Sequence, residues 1–287
     1  MRASTSEDES MKVFLTQLRA YSEDFEENFR EVDRVLEECR AEFSSDDILL
    51  LPELLGGESP RAEYEDFVSN LASKLRCFVV GGSHHDAGRG RKFNCGAVAD
   101  PTGTVVSQYQ KLWPDGVELK MGIAPGSKTG HFEVAGCRVL VLVCADFWYS
   151  SVILSRLHPR PDLILVPTFS ISLRSSPLAA RSLWQSMAIS RAYEFGVYVG
   201  ISDWAHPCDY HGLKSSSVAG LADPRPQSHD GFFSPLGTQT IIGHDLELAR
   251  LRWLREHRST RAFLSDENLT RSLAGAHRKS AFRKAAG

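Results

Sequence analysis

The sequence predicts an α/β fold built in layers, and three observations carry that prediction. Short, near-continuous apolar runs such as Ile48-Leu49-Leu50-Leu51, Val139-Leu140-Val141-Leu142-Val143 and Leu163-Ile164-Leu165-Val166 have the length and composition of strands buried on both faces. Between them lie longer segments with apolar residues three and four apart, the period of helices that cover a sheet. Gly, Pro and Asp punctuate the changes from one pattern to the other.

The elements follow in order. Residues 12–18 form a first strand, and 24–43 place Phe25, Phe29, Val32, Val35, Leu36, Cys39 and Phe43 on one helical stripe with the charges opposite. Asp46-Asp47 makes the turn into the strand 48–51, which Pro52 ends and Glu53 follows. A helix over 61–75 precedes a strand over 77–83. Strands over 94–98 and 104–109 flank the turn Asp100-Pro101-Thr102-Gly103 and read as a hairpin ending at Gln110-Lys111. Residues 112–128, rich in Gly and Pro, read as a long loop of the kind that is usually functional. Residues 132–134 lead through Gly136 into the 138–143 run, which ends on Cys144. A helix over 149–157, the strand 163–166 closed by Pro167, a helix over 178–195 stopped by Gly196 and a strand over 197–201 continue the alternation. Residues 204–230 read as loop, weak strands over 216–221 and 238–243 flank a turn at 234–237, and 246–257 form a basic amphipathic helix.

Composition narrows the function classes. At 287 residues, 42% hydrophobic and 24% charged, the chain has the profile of a globular protein with a sizeable core. A net charge of -3 gives no electrostatic case for nucleic acid or an anionic membrane surface as partner. Residues 1–10 are polar and acidic and read as a disordered lead-in, 11–257 as one domain, and 258–287 as a basic C-terminal tail able to pack on a partner subunit. The six cysteines include no Cys-x-x-Cys pair, which argues against a disulfide framework or zinc site and for a reducing cytoplasm. Cys208 lies between His206 and His211, but Pro207 interrupts the group and no fourth ligand is evident, so a plain loop is the reading and no metal or cofactor is implied.

Three strands therefore end in groups with chemical potential: Glu53, Lys111 and Cys144. Each alone has a plain explanation as a loop carboxylate, an edge lysine or a small buried hydrophobe. Together they describe acyl transfer. A thiol attacks only as thiolate and needs a base, and a carboxylate shielded from water can serve. The tetrahedral oxyanion needs donors, which the Lys111 ammonium and the backbone N–H of Ala145 can supply.

The segments Leu50-Leu51-Pro52-Glu53, Tyr109-Gln110-Lys111-Leu112 and Val143-Cys144-Ala145-Asp146-Phe147 resemble, in order and spacing, the Glu, Lys and Cys motifs of the nitrilase superfamily of carbon–nitrogen hydrolases. Flanking stretches agree: residues 12–17 resemble the family's first strand, 94–103 its Asn-led hairpin, and Arg191-Ala192-Tyr193-Glu194 a helix end of the family. The resemblance implies a four-layer α-β-β-α sandwich and hydrolysis of a small-molecule amide-type bond without metal or organic cofactor. It also implies a homodimer or larger homo-oligomer, paired through helices beside the active site. It matches the family's supporting glutamate to Glu118, which would hold Lys111 and help position substrate or water.

The chain departs from the family's pattern after the nucleophile. Cys144-Ala145-Asp146 is closer to the amidase and carbamoylase branches than to the Cys-Trp-Glu of true nitrilases, and Phe147-Trp148-Tyr149 and Trp113-Pro114 stand where other residues are usual. Trp113, Phe147, Trp148, Tyr149 and Phe169 are accordingly predicted as walls of an aromatic substrate pocket. Two alternatives stand beside hydrolysis: acyl transfer to an amine through the same thioester, and a non-catalytic interaction module that uses the basic tail.

Overall fold

The computed structural model describes residues 11–86, 90–172, 176–265 and 267–269. The predicted lead-in, and the basic residues of the tail beyond 269, lie outside the described residues.

The chain runs β1 (Lys12–Leu18), α1 (Phe25–Cys39), β2 (Ile48–Leu50), α2 (Arg61–Leu75), β3 (Phe78–Val80), β4 (His84–Asp86), the hairpin β5 (Phe93–Ala99) and β6 (Val105–Gln110), and α3 (Gly116–Lys120). It continues through β7 (Gly130–Val134), β8 (Cys137–Val141), a 3-10 turn (Cys144–Trp148), α4 (Ser150–Leu154), β9 (Leu163–Pro167), α5 (Leu178–Phe195) and β10 (Tyr198–Trp204). The last part holds β11 (Asp209–Tyr210), β12 (Leu213–Lys214), β13 (Gly220–Ala222), β14 (Phe233–Pro235), β15 (Ile241–Asp245) and α6 (Leu248–Thr260).

Strands β4-β5-β3-β2-β1 make one half of the sheet and β10-β9-β8-β7 the other, with β1 and β10 parallel at the seam. That seam is short, pairing only Gln17 with Asp203 and Leu18 with Trp204. Elsewhere the two halves turn toward each other. One hydroxyl stitches them: Ser202 Oγ accepts from Thr16 N–H at 2.8 Å and donates to the Leu50 carbonyl at 2.9 Å.

The period-2 alternation of the strands explains the four layers. Val13, Leu15, Ile48, Leu50 and Val80 point into the sandwich, where they meet Val139, Val141, Leu163 and Leu165 of the other half. The alternate residues Phe14, Leu49, Leu51 and Val79 face outward onto Val32 and Val35 of α1 and Val68 and Leu71 of α2. On the far side Leu140, Leu142, Ile164 and Val166 face Trp184, Ala188 and Ala192 of α5. Runs that looked uniformly apolar in sequence are uniformly apolar because both faces are covered. The predicted α-β-β-α sandwich is the observed architecture.

Several boundaries differ from the sequence reading. The Cys144 run leaves the sheet at Val141 and turns into a 3-10 helix, so Cys144 stands past the strand end. The predicted loop 112–128 contains α3, which Asp115 and Glu118 close with a reciprocal capping box. The predicted strand 77–83 stops as β3 at Val80, where Gly81-Gly82 breaks the run, and the short strand β4, which the sequence reading did not place, follows it. At the C-terminal side α6 extends to Thr260, Arg258 stacks over the Tyr193 ring at 4.4 Å, and Leu269 packs against the α5 layer. The beginning of the expected tail is therefore part of the body. No helix among the described residues is long and apolar enough to cross a membrane.

Gly82 holds the approach to Glu53. It has φ +73°, and a Cβ there would land on the Pro52 carbonyl oxygen, which is backbone and cannot swing away. Replacing Gly82 by Ala is expected to cost about 3 kcal/mol in urea unfolding. Gly116→Ala, in open space at the start of α3, is expected to leave stability within about 0.5 kcal/mol of wild type.

Candidate active site

Glu53, Lys111 and Glu118, from three separate elements, meet in the interior. The Lys111 ammonium lies 2.8 Å from Glu53 Oε1 and 2.6 Å from Glu118 Oε2, and all three side chains are buried. Pro52 turns the chain out of the sheet after β2 and delivers Glu53, Lys111 is the first residue after β6, and Glu118 comes from α3. The capping box that starts α3 uses the same carboxylate, since Glu118 Oε2 accepts the Asp115 N–H at 2.9 Å.

Asn94 ties the two carboxylates together. Its amide donates to Glu53 Oε1 at 2.9 Å and to Glu118 Oε1 at 2.6 Å. Sequence reading quoted Asn94 only as the head of a hairpin. Its signal was register: Lys111 N–H bonds the Asn94 carbonyl at 2.8 Å, so the two residues face each other across the β5–β6 pair. Glu53 is further held by the Phe169 N–H on Oε2 at 2.9 Å, and the Trp204 indole donates to the Glu53 carbonyl at 2.7 Å.

Charge follows from this packing. Burial penalises the Lys111 ammonium, but Glu53 and Glu118 outweigh that penalty and hold it charged well above the usual lysine range. The two carboxylates then divide. Burial and the nearby Glu118 charge push Glu53 up despite Lys111, whereas Lys111, His85 and Asn94 overcome the burial of Glu118 and hold it at about 2. Glu118 is the permanent counter-ion, and Glu53 is the group able to take a proton.

Cys144 approaches from the other half of the sandwich. Its φ of +43° is the left-handed region that a non-glycine residue rarely occupies, placed at the tight turn out of β8. The Thr168 hydroxyl donates to the sulfur at 3.0 Å, and the Phe169 carbonyl is 4.0 Å away. Burial and the facing Glu53 carboxylate raise the thiol pKa well above its usual value, with Lys111 opposing. Cys144 and Ala145 are only partly buried, so the sulfur and the following N–H remain approachable.

Asp146 explains the third position of the Cys144-Ala145-Asp146 motif. Its buried carboxylate accepts the backbone N–H groups of Leu112 at 3.0 Å and Trp113 at 2.8 Å. It thus ties the turn that carries Cys144 to the chain that leaves Lys111. Burial lifts this carboxyl to about 6 in spite of those donors.

The predicted aromatic walls separate into three groups. Phe147 is fully buried and stacks on Trp184 of α5 at 6.2 Å, so it is core and not pocket wall, because the turn after Cys144 folds the ring beneath the helix layer. The Phe169 ring is likewise buried, in a cluster with Tyr21, Trp204 and Tyr210; it is the Phe169 backbone that faces Glu53 and Cys144. Trp113, Trp148 and Tyr149 are about half exposed, with Trp113 stacked on Tyr149 at 5.0 Å and Trp148 edge-on to Trp184. Among the described residues no group of three or more His, Cys, Asp or Glu side chains could hold a metal ion. His206 caps the Ser215 carbonyl at 2.7 Å and Cys208 faces the Arg19 carbonyl at 3.3 Å, so the 206–211 cluster does not converge.

Comparison with known proteins finds relatives in sequence and in fold. Residues 12–250 match the family described as carbon-nitrogen hydrolase. Omega-amidase NIT2 of Homo sapiens is 24% identical over 199 residues, covering 66% of this chain and 68% of that protein. Among solved structures, Saccharomyces cerevisiae Nit3, a nitrilase-superfamily member, superposes with a TM-score of 0.68 at 20% identity, covering 86% of this chain and 94% of that one. An amidase from Nesterenkonia sp. AN1, which carries acrylamide added to its active-site cysteine, superposes with a TM-score of 0.65 at 20% identity over 88% of this chain and all of that one.

The low value of Glu118 sets a pH dependence. A carboxyl at about 2 in the folded chain, against an ordinary 4.5, contributes stability that is full above pH 4.5 and is lost as the pH falls toward 2. Glu118→Gln is expected to be less stable than wild type by about 2 kcal/mol at pH 7, with the deficit closing progressively in acid. Urea titrations of both proteins across that range measure it, and a deficit independent of pH would contradict an ionic role.

Proposed function

Because this chain belongs to the carbon–nitrogen hydrolase family, as an amidase-like enzyme of the nitrilase superfamily, we propose that it cleaves amide-type bonds through a thioester on Cys144. Glu53 accepts the thiol proton as the sulfur attacks the amide carbonyl. The Lys111 ammonium and the Ala145 N–H stabilise the oxyanion. Glu53 returns the proton to the departing ammonia or amine, and the acyl group remains on sulfur. Water, deprotonated by Glu53, then releases the acid and restores the thiol.

One observation carries this reading: a buried lysine held between two carboxylates of unequal basicity, beside a strained cysteine. A thiol whose pKa is raised is a poor nucleophile unless its proton leaves during attack, and a carboxylate raised by burial is the matched acceptor. Glu118, kept anionic, holds Lys111 charged through the cycle. Thr168 supports the sulfur by donating to it, which favours the thiolate. Self-association through the α5 face belongs to the same reading, since Leu178, Leu183 and Tyr193 of that helix are exposed beside the half-exposed Trp148.

Intact-protein mass spectrometry with a panel of short aliphatic amides is expected to show an added acyl mass on wild type that Cys144→Ala lacks. Turnover by Cys144→Ala should be lost with its melting temperature unchanged, and undiminished turnover would sink the proposal. Glu53→Gln is expected to lower kcat by about a thousandfold or more while amide binding persists.

A further inference from the structure

Thr168, Phe169 and Ser170 follow β9 directly, and each of them grips a different group. The Thr168 hydroxyl donates to Cys144 Sγ at 3.0 Å and the Phe169 N–H to Glu53 Oε2 at 2.9 Å. The Ser170 N–H donates to Asp203 Oδ1 at 3.0 Å. Two of these bonds end on the proposed nucleophile and base. The third ends on a wholly buried carboxylate that takes no part in the reaction as proposed, on β10 at the seam between the halves, where it pairs with Gln17.

Asp203 holds this stretch through several donors. Besides the N–H, the Ser170 hydroxyl donates to Asp203 Oδ2 and accepts the Ser216 N–H at 3.0 Å. The Val218 N–H donates to the same Oδ2 at 2.9 Å. Three donors on two oxygens require a side chain that only accepts. Burial raises the Asp203 carboxyl to about 6 against those donors, which still leaves it ionised at neutral pH. An asparagine of the same shape turns an NH2 toward one of the donors.

Phe169 is where this grip reaches the chemistry. The peptide from Phe169 to Ser170 is held by its N–H on Asp203, and its carbonyl faces Cys144 Sγ at 4.0 Å. Thr168 is held from its own side, by its N–H on the Ser202 carbonyl at 2.9 Å. The neighbour of Asp203, Trp204, donates its indole N–H to the Glu53 carbonyl at 2.7 Å. Adjacent residues of β10 thus reach Glu53 twice, Trp204 on its backbone and Asp203, through Ser170 and Phe169, on its carboxylate.

We propose that Asp203 is a positioning residue: by holding Ser170 it fixes Phe169, and with it the separation and orientation of the Glu53 carboxylate and the Cys144 thiol between which the proton passes. Asp203 touches neither reacting group. The inference rests on the thioester reading for the roles of Cys144 and Glu53, and it is tested on a reaction of the sulfur that needs no amide hydrolysis.

Iodoacetamide alkylates Cys144 as the sulfur bonds to the methylene carbon, iodide leaves with the C–I electron pair and the thiol proton goes to Glu53. The rate is measured at neutral pH by peptide mass spectrometry, with the wholly buried Cys77 as an internal control for an intact fold. Asp203→Asn is expected to slow Cys144 alkylation about fiftyfold and Ser170→Ala about tenfold, with Cys77 unreactive in both. In Glu53→Gln, itself slow, the same substitutions are expected to cost less than about threefold, because the group they position is gone. A clamp with a purely structural role gives the opposite result, since loosening the fold exposes both thiols and speeds their alkylation. Cys144 rates equal to or above wild type, or losses of equal size with and without Glu53, would overturn the proposal. Where Asp203→Asn leaves Cys77 reactive, Ser170→Ala decides by the same two comparisons. The expected pattern without an acyl-enzyme on any amide would count against the hydrolase reading alone.

Discussion

A buried ammonium is the constraint on which this site depends. Taking Lys111 out of water costs several kcal/mol, and the cost is met only because Glu53 and Glu118 reach it at 2.8 and 2.6 Å with Asn94 completing their hydrogen bonds. Two carboxylates around one cation leave an excess negative charge, which the surroundings distribute unevenly. Glu118 receives the Asp115 N–H and the Asn94 amide and stays ionised; Glu53 is pushed toward neutrality. The inequality between two chemically similar side chains follows from what each touches, and it supplies one counter-ion and one exchangeable proton site.

The second constraint is the joint between the halves of the sandwich. Glu53, Lys111 and Glu118 belong to the first half, and Cys144 and Thr168 to the second, so the separation of the charged cluster from the sulfur is set by how the halves meet. Only two residue pairs join β1 to β10, but the neighbouring bonds are buried and directional: Ser202 to Leu50, Trp204 to the Glu53 carbonyl, and Phe169 N–H to the Glu53 carboxylate. Asp146 adds a bridge from the Cys144 turn to Leu112 and Trp113. In a close-packed interior such ties hold geometry to a fraction of an ångström, the tolerance that proton transfer demands.

The aromatic residues show a division of labour that types alone could not reveal. Phe147 and the Phe169 ring anchor the turn and the strand end from beneath, so the motif they follow is a structural support for the cysteine. Tyr21 and Tyr210, which have no motif around them, line a cavity with His85.

Much of the fold was legible in the amino-acid order. Strands with apolar residues on both faces, helices with a three-and-four stripe, and stops at Pro52, Pro167 and Gly196 are local properties, and α2 and α5 occupy the predicted spans because their periodicity and ends agree. Glu53, Lys111 and Cys144 were legible as well, since each stands just beyond a strand and the layered alternation puts strand ends on one edge. His85, Asn94 and Thr168 were not: a histidine inside a broken apolar run, an asparagine opening a hairpin and a threonine after proline look ordinary until register and the closing of the two halves set them against Glu118, Glu53 and Cys144. Sequence alone determined which residues could carry chemistry, because that depends on side-chain type and strand position. Only the tertiary structure decided which carboxylate is pushed up and which stays ionised, and which aromatic is core and which is exposed, because burial and charge in a packed interior are set by neighbours distant in the chain.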